Sequence, residues 1–240
     1  MSRIRHSDKL LPNQGYFSNL YKESSPYEEA LSILVASFAN DFNPSRYQLT
    51  LPKNVAFEEM STPPTQLALF NFIIRLTNAK TALEIGTFIG HSTMQIARML
   101  GEAGTITTIE IGHEFAEIAR KNFRRNNFLD RVRLIEGNAT DILSKLPPHS
   151  FDLIFIDGSK QDYLEYTLAS ETLISTHGVI IVDDVFFHGD ALNKRPTTEK
   201  GIGCKRLLDH YRDHKKLSHL LLPISNGILI LFSNSTAPSR

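Results

Sequence analysis

The sequence of 240 residues has no tryptophan, a single cysteine and no excess of charge of either sign. Because Cys204 is the only cysteine, the chain excludes an intrachain disulfide and a zinc site built on several thiolates. A lone cysteine is more typical of packing than of a nucleophile, and it suits a reducing compartment. The composition therefore predicts a cytoplasmic location and a chemistry that does not depend on thiols.

Long hydrophobic runs are also missing from the sequence. No window reaches the roughly 18 apolar residues of a membrane-spanning helix, and the opening residues MSRIRHSDKLLPNQGYF lack the apolar stretch of a signal peptide. Lysine plus arginine and aspartate plus glutamate both number 26, so net charge gives no bulk attraction to nucleic acid or to an anionic membrane. We expect neither as a partner.

The chain divides into an N-terminal segment, residues 1–60, and a main domain, residues 61–240. In the first part, the stretch SPYE at 25–28 combines a helix-capping serine, a first-turn proline and a glutamate, which predicts a helix to about residue 39. A second helix start is predicted at Thr62, the cap, with Pro63 as the first helical residue. The N-terminal segment is therefore predicted to be helical.

From Lys80 onward, short apolar runs alternate with amphipathic stretches. The runs are TALEIG, TITTIEI, VRLIEGN, FDLIFID and GVIIVDD. Such alternation predicts an α/β fold with a mostly parallel sheet covered by helices on both faces. Near the end, KLSHLLLPI and GILILFS are joined through Ser225-Asn226-Gly227, a hairpin signal, so one C-terminal strand is predicted to run antiparallel.

The stretch LEIGTFIGHS follows the first predicted strand of the sheet. Gly86 and Gly90 remove two side chains where a ligand approaches the backbone, and Ser92 is predicted at the start of the next helix. The spacing G-x-x-x-G is not the G-x-G-x-x-G of a dinucleotide site. The loop therefore predicts a ligand that is not a dinucleotide.

Two acids frame this loop and narrow the choice of ligand. Glu84 precedes the glycines and would repel a pyrophosphate but suit a cationic amino group, and Glu110 ends the second strand where it can accept both ribose hydroxyls. A ligand with a ribose and a cation but no phosphate is S-adenosylmethionine, which we expect as the cofactor. The alternative is that both acids are ordinary strand-end carboxylates.

Three further carboxylates follow neighbouring strands. Asp157 closes FDLIFID, while Asp183 and Asp184 close GVIIVDD, so all three are expected at one edge of the sheet. Oxygen ligands of this kind suit a hard cation, Mg²⁺ above all, with Ca²⁺ or Mn²⁺ as alternatives. Such a cation would chelate two neighbouring substrate oxygens. Alternatively, each acid caps a helix or faces solvent.

Together these motifs resemble the cation-dependent class I S-adenosylmethionine O-methyltransferases, the family of caffeoyl-CoA and catechol O-methyltransferases. The pieces that carry the resemblance span residues 60–232 and are LTNAKTALEIGTFIGHST, TIEI, EGNATDIL, FDLIFIDGSKQDYLEY, GVIIVDDV and LPISNGILI. The resemblance implies a Rossmann-like, seven-stranded, mostly parallel sheet with a reversed C-terminal hairpin strand. It also implies an N-terminal segment that covers the site, and a homodimer.

The resemblance assigns roles to individual residues. Lys160, in D-x-x-K after Asp157, matches the family's general base, for which burial and the cation would have to lower its pKa. Asp157 is shared between the catalytic, cofactor and metal roles. The cofactor residues implied are Met60, Glu84, Gly86, Ser92, Glu110, Ala139, Asp157 and Tyr166.

Two departures from the family pattern concern the substrate and the metal. Asp183-Asp184 stands where the family has Asp-Asn, and Asp157-Gly158-Ser159-Lys160 stands where many members have Asp-Ala-Asp-Lys. Phe186 and Phe187 are candidates for an aromatic wall of the pocket, or for core packing. The expected reaction is methylation of a hydroxyl on a small aromatic with vicinal oxygens, such as a catechol or a caffeoyl-like compound.

Two other functions remain open on the sequence alone. Acidic residues are interleaved with a run of basic residues that suggests an RNA methyltransferase. The basic residues of this run are Arg120, Lys121, Arg124, Arg125, Arg131 and Arg133. A cofactor-binding module with little turnover is suggested by the altered acid pair alone.

Overall fold

The computed structural model describes residues 42, 46–53, 61–213 and 216–233. Most of the predicted N-terminal segment, including the helix expected near residues 25–39 and the predicted cofactor residue Met60, lies outside the described residues. No helix within the described ranges is long and apolar enough to span a membrane.

The centre of the fold is one sheet of seven strands in the order β3-β2-β1-β4-β5-β7-β6. Its strands are β1 (Thr81–Ile85), β2 (Thr105–Glu110), β3 (Val132–Glu136), β4 (Phe151–Ile156), β5 (Ile174–Val182), β6 (Leu217–Leu222) and β7 (Ile228–Ser233). In the part of the sheet with the order β3-β2-β1-β4-β5, all neighbouring strands pair in parallel. Strand β7 runs antiparallel to both β5 and β6. The predicted α/β sheet with one reversed C-terminal strand is confirmed.

The helices lie on both faces of this sheet, as the alternating pattern predicted. They are α1 (Pro64–Thr77), α2 (His91–Met99), α3 (His113–Arg125), α4 (Ala139–Leu143), α5 (Tyr163–Leu173) and α6 (Glu199–Arg212). One apolar cluster joins α1, α2 and α3 to the sheet, and a second joins α4, α5 and α6 to the opposite face. Because β1 and β4 lie between these clusters, their residues are almost entirely buried.

The predicted start of α1 is wrong by one residue. The cap is Pro63, not Thr62, and its carbonyl accepts the first helical hydrogen bonds from Gln66 N (3.1 Å) and Leu67 N (3.0 Å). The cause is the second proline, Pro64, because a residue that precedes proline is disfavoured in the helical region. Pro63 accordingly has an extended backbone, with ψ of 151°.

Residues 46–53 pack against the helices of the main domain. Thr50 N donates to Asn122 Oδ1 at 2.6 Å, and Gln48 N donates to Asn126 Oδ1 at 3.0 Å. Tyr47 and Leu49 pack against the first apolar cluster. These contacts join part of the predicted N-terminal segment to α3, and the predicted division at residue 60 stays a prediction.

Candidate active site at the carboxyl ends of the strands

The carboxyl ends of the parallel strands bring the predicted site residues to one edge of the sheet. Asp157 N donates to Ile85 O (2.8 Å) and Asp183 N donates to Ile156 O (3.0 Å), so the ladder continues one residue past β4 and β5. The strand order reverses between β1 and β4. Ligands of open α/β sheets bind at this position, beyond the strand ends.

Glu110 holds the glycine loop in place. Its Oε2 accepts hydrogen bonds from Thr87 N (3.1 Å) and Phe88 N (2.7 Å), and its Oε1 accepts one from Gly112 N (2.8 Å). The residue is only 7% exposed. A carboxylate offers about four acceptor positions. Glu110 therefore fixes the loop and still has acceptor capacity for a ribose hydroxyl.

The two glycines of the loop are required by protein contacts. Gly86 has φ +101°, and a Cβ there would lie 2.3 Å from the carbonyl oxygen of Asp157. Gly90 has φ +82°, and a Cβ there would lie 2.3 Å from the ring of Phe123. Protein contacts alone therefore require glycine at both positions, and the predicted approach of a ligand to the loop backbone stays a prediction.

We expect Gly86→Ala to destabilise the fold more than Gly101→Ala does. Both glycines have positive φ, but a Cβ on Gly101 (φ +81°) would meet nothing within 4 Å, so its substitution isolates the backbone strain of about 1 kcal/mol. Gly86→Ala adds a clash with backbone, worth about 1–3 kcal/mol more. Urea unfolding of both variants measures the difference, and equal stabilities would contradict it.

Glu84 lies beneath the loop in a network of hydroxyl groups. It is 0% exposed, and its carboxylate accepts hydrogen bonds from Ser92 Oγ (2.6 Å), Thr108 Oγ1 (2.6 Å) and the hydroxyl of Thr93. Burial raises the pKa of Glu84 to about 7, against the opposing effect of these hydroxyls. Ser92, predicted to contact the cofactor, thus connects the buried acid with the loop.

Sequence reasoning missed Thr93 and Thr108 as partners of Glu84. Thr108 is the residue that β2 places opposite Glu84 in the parallel register. A correct register of β1 against β2 was the signal that could have identified it. The predicted contact of Glu84 with a cationic group of the ligand stays a prediction. With all three hydroxyl groups in place, Glu84 would have to influence that group through the hydroxyls.

The remaining cofactor candidates lie at the same edge. Ala139 is the first residue of α4, shortly after β3, where Gly137 N donates to Glu110 O at 2.8 Å. Tyr166, on α5, is 5% exposed and has its ring 3.3 Å from the position of a Cβ on Gly158. Both residues therefore approach the loops that follow the strands.

The three predicted metal ligands are brought together with Lys160. Its Nζ lies 3.0 Å from Asp184 Oδ2 and 3.6 Å from Asp157 Oδ1. Asp183 is 8% exposed, and its Oδ1 accepts a hydrogen bond from Asp184 N at 2.7 Å. Within the described ranges, no group of three or more histidine, cysteine, aspartate or glutamate side chains is arranged to hold a metal ion.

The acids of this cluster influence one another strongly. Burial, and then the charge of Asp183, raise the pKa of Asp157 well above its usual range, while Lys160 opposes the rise. Burial also raises the pKa of Asp183 to about 6. The buried amide of Gln66 opposes that rise, although neither of its polar atoms completes a hydrogen bond with a described residue. Gln66 is a further neighbour of the cluster that sequence reasoning did not assign to it.

Lys160 has a raised pKa, whereas the general-base role would require burial and a cation to lower it. Burial does act to lower the pKa, but the charges of Asp157 and Asp184 outweigh it. The nitrogen also donates to Tyr163 Oη at 3.3 Å, and the side chain is 14% exposed. The two acids therefore favour the ammonium form of Lys160, and the general-base role that the resemblance implies stays a prediction.

The donors of the cluster have the chemistry that a hard cation requires, although Lys160 lies among them. Asp184 Oδ1 is buried and has no hydrogen-bond partner among the described residues. An oxygen in this condition costs free energy unless a ligand satisfies it. Carboxylate oxygens are the ligands that Mg²⁺, Ca²⁺ and Mn²⁺ prefer. The residues thus fit a divalent cation by donor type.

Other candidates have structural roles. Cys204 is fully buried, and burial raises the pKa of its thiol to about 12, as expected of a packing residue. Phe186 lies against Gly227 in the β6–β7 turn, since a Cβ on that glycine would lie 2.6 Å from its ring. Phe187 lies beside His188, with ring centroids 5.4 Å apart. Their predicted role as a pocket wall stays a prediction.

The fold and the edge of acids and glycines define a Rossmann-like class of methyltransferase. Residues 46–233 match the model of the O-methyltransferase family, so the chain belongs to that family. The predicted family and enzyme class, an S-adenosylmethionine-dependent O-methyltransferase of the caffeoyl-CoA and catechol type, are thereby confirmed.

Similar proteins agree with this membership. The chain is 28% identical to a probable caffeoyl-CoA O-methyltransferase 3 of Dictyostelium discoideum, in an alignment of 199 positions that covers 74% of this chain and 79% of that protein. It is 33% identical over 150 residues to a catechol O-methyltransferase of Niastella koreensis, with 61% of this chain and 68% of that protein covered. The crystal structure of an O-methyltransferase from Bacillus cereus in complex with SAH matches with a TM-score of 0.68 at 26% identity, covering 95% of this chain and 94% of that one.

Proposed function

We propose that this enzyme transfers the methyl group of S-adenosylmethionine to one hydroxyl of a small aromatic with two vicinal oxygens, such as a catechol or a caffeoyl-like compound. The observation that supports this proposal best is the position of Lys160. Its ammonium lies within 3.6 Å of Asp157 and Asp184, and the strand that Asp157 follows, β4, pairs with β1, which leads into the glycine loop. A cofactor on the loop and an acceptor at the cluster would therefore be neighbours.

For the cofactor, we propose that Glu110 binds a ribose hydroxyl with the acceptor capacity left by its three backbone partners. Ala139 would contact the adenosine, because α4 begins beside Glu110. Asp157 and Tyr166 would contact the methionine part from β4 and α5. The SAH bound by the Bacillus cereus relative supports a cofactor of this class.

For the acceptor, we propose that Lys160 donates a hydrogen bond to the oxygen that receives the methyl group. Because its pKa is raised, Lys160 keeps its proton and is not free to act as a base, but its ammonium stabilises the phenolate that forms as the hydroxyl gives its proton to solvent water. The oxygen lone pair then forms the O–C bond while the C–S bond to the cofactor breaks in line. General-base catalysis by Lys160, which the resemblance implies, stays the alternative and requires the cation to lower the pKa of Lys160.

We also propose that a divalent cation assists this reaction, held by Asp157, Asp183 and Asp184. When bound, such a cation lowers the pKa of the hydroxyl and holds the neighbouring oxygen. The support is the donor type and the unpartnered Asp184 Oδ1, which has no hydrogen bond from any described residue. Asp184 in place of the family's asparagine adds a negative charge to the site, which favours tight retention of the cation.

An acceptor series tests the proposed substrate class. Catechol and caffeic acid should be methylated with S-adenosylmethionine and Mg²⁺, whereas phenol and 4-hydroxycinnamic acid, with a single hydroxyl, should react at least about tenfold more slowly. Equal rates on diols and single hydroxyls would contradict recognition of vicinal oxygens. Binding of S-adenosylmethionine without product on any diol would instead favour a module with little turnover.

The RNA alternative has less support in the structure than in the sequence. Arg120 pairs with Glu117 (2.6 Å) and Glu136 (3.1 Å), and Arg131 Nη1 donates to the carbonyls of Ala97 (3.1 Å) and Gly101 (2.6 Å). These guanidinium groups serve protein contacts. Filter binding to RNA at varied salt, with no retention expected, tests the alternative.

Replacing Glu110 by alanine should weaken binding of S-adenosylhomocysteine by about 1–3 kcal/mol, because charge-assisted hydrogen bonds to the ribose are lost. Calorimetric titration measures the effect. The matched control is Glu136→Ala, since Glu136 lies opposite Glu110 on β3 but pairs with His113 and Arg120 at the surface. Unchanged affinity in Glu110→Ala, or an equal loss in both variants, would contradict the assignment.

Two broader predictions belong to the same proposal. A cytoplasmic location is suggested by the single buried thiol, and a homodimer is suggested by the family resemblance. Sedimentation equilibrium of the purified chain distinguishes a dimer from the 27.1 kDa monomer.

A further inference from the structure

Lys160 is held in one place within the acid cluster. Its backbone lies in a short 3-10 turn, Lys160–Asp162, that packs directly on α6: a Cβ on Gly203 would lie 2.2 Å from Lys160 O. The side chain crosses the ring of Tyr163, with Nζ 5.4 Å from the ring centroid. Because this turn packs against the backbone of α6, the side chain of Lys160 reaches Asp157 and Asp184 from a backbone position that α6 supports.

Asp184 is divided between this ammonium and an unsatisfied oxygen. Its Oδ2 lies 3.0 Å from Lys160 Nζ, while its Oδ1 is buried without a hydrogen-bond partner among the described residues. Its backbone is also in the left-handed region, with φ of 52°, and its N–H is bonded to Asp183. The carboxylate therefore has one oxygen neutralised by protein and one available to a further cation.

We propose that Lys160 is the resident counter-cation of the cluster and competes with a divalent cation for Asp184. This inference rests on the proposed cation assistance. A dication bound by the acids would stand within a few ångströms of the ammonium, and like charges at that distance repel strongly in a partly buried site. The ammonium then leaves Asp184. Because the Lys160–Asp162 turn packs on α6, the ammonium stays beside the site and is directed at the acceptor oxygen.

The positions of the acids and of Lys160 agree with this competition. The chemistry of the donors suits a hard cation, yet no group of described acids is arranged around a common point. Lys160 already occupies the space between Asp157 and Asp184. Cation binding and the position of Lys160 are therefore coupled, and removal of the ammonium should favour the cation.

Titration of the full chain with Mn²⁺, followed by electron paramagnetic resonance, tests the competition without any measurement of activity. Lys160→Met should bind Mn²⁺ at least about tenfold more tightly than the native chain, whereas Lys160→Arg, which keeps the charge, should bind no more tightly than the native chain. Lys205→Met is the matched control, because Lys205 pairs with Asp209 on the exposed part of α6 and should leave Mn²⁺ affinity unchanged. Calorimetric binding of S-adenosylhomocysteine to each variant shows that it is folded.

The outcomes separate the two proposals. If the native chain binds Mn²⁺ and Lys160→Met binds it equally or more weakly, the competition is overturned while cation assistance stands. If neither chain binds Mn²⁺ although both bind S-adenosylhomocysteine, cation assistance and the competition are both overturned.

Discussion

Replacing Lys160 by methionine should lower the turnover number by about 10²–10³ at saturating cofactor and cation, because a preorganised donor to the developing phenolate is lost. The side chain is 14% exposed and lies between two carboxylates, so water does not substitute for it easily. Steady-state rates on catechol measure the effect. Methionine keeps most of the length of the lysine stem, so the variant removes the charge with little change in packing.

The same variant should bind S-adenosylhomocysteine almost as tightly as the native chain, because Lys160 contacts the acid cluster and not the glycine loop. The control for charge alone is Lys205→Met, which should keep full turnover. A Lys160→Met enzyme with normal turnover and lost cofactor affinity would show that the residue binds the cofactor and does not assist the transfer.

The native chain should lose stability relative to Glu84→Gln as the pH rises from about 4.5 to about 7. The folded-state pKa of Glu84 is about 7, above the ordinary value of 4.5, so in this window the folded state binds more protons than the unfolded state. Stability therefore falls as the pH rises, by about 3 kcal/mol over the whole window, and the glutamine variant lacks this contribution. Urea unfolding at several pH values measures the difference.

Glu136→Gln provides a control of opposite sign. The hydrogen bond from His113, and then that from Arg120, hold the pKa of Glu136 below its ordinary value, so the native chain gains stability relative to that variant as the pH rises through the acid range. If the stability of the native chain relative to Glu84→Gln rises with pH, or does not change, Glu84 is ionised at low pH and the hydroxyl network outweighs burial.

The sheet could be predicted from the sequence because its signals were local. Alternation of strand and helix patterns indicated the parallel order, and Ser225-Asn226-Gly227 indicated the reversed strand. In the structure, Ser225 (φ 52°) and Gly227 (φ 88°) take the positive φ of this turn. The predicted start of α1 is one residue early because two prolines follow Thr62, and Pro64 keeps Pro63 out of the helical region. The run GVIIVDD predicts that β5 starts at residue 178, but β5 starts at Ile174. The cause is that Ile174 pairs with Phe151, with a register shift before Leu153.

The positions of the candidate site residues could be predicted better than their interactions. Glu84, Glu110 and the three aspartates lie at or after strand ends, and strand ends converge in any parallel sheet. Which of them meet each other depends on register and on side-chain direction, which a sequence pattern does not contain. Three contacts depend on register and side-chain direction in this way. They are the hydrogen bond of Thr108 to Glu84, the ion pair between Lys160 and Asp184, and the close approach of Gly86 to Asp157.

The central claim is that the chain moves the methyl group of S-adenosylmethionine to an aromatic oxygen. It is tested most directly by incubating the purified full chain with catechol, Mg²⁺ and S-adenosylmethionine carrying a ¹³C-labelled methyl group, and by locating the label with nuclear magnetic resonance. The account predicts a labelled methoxy carbon on one of the two vicinal oxygens, formed together with S-adenosylhomocysteine. A label that stays on the cofactor with catechol and with caffeic acid, or that appears on added RNA instead, would contradict it.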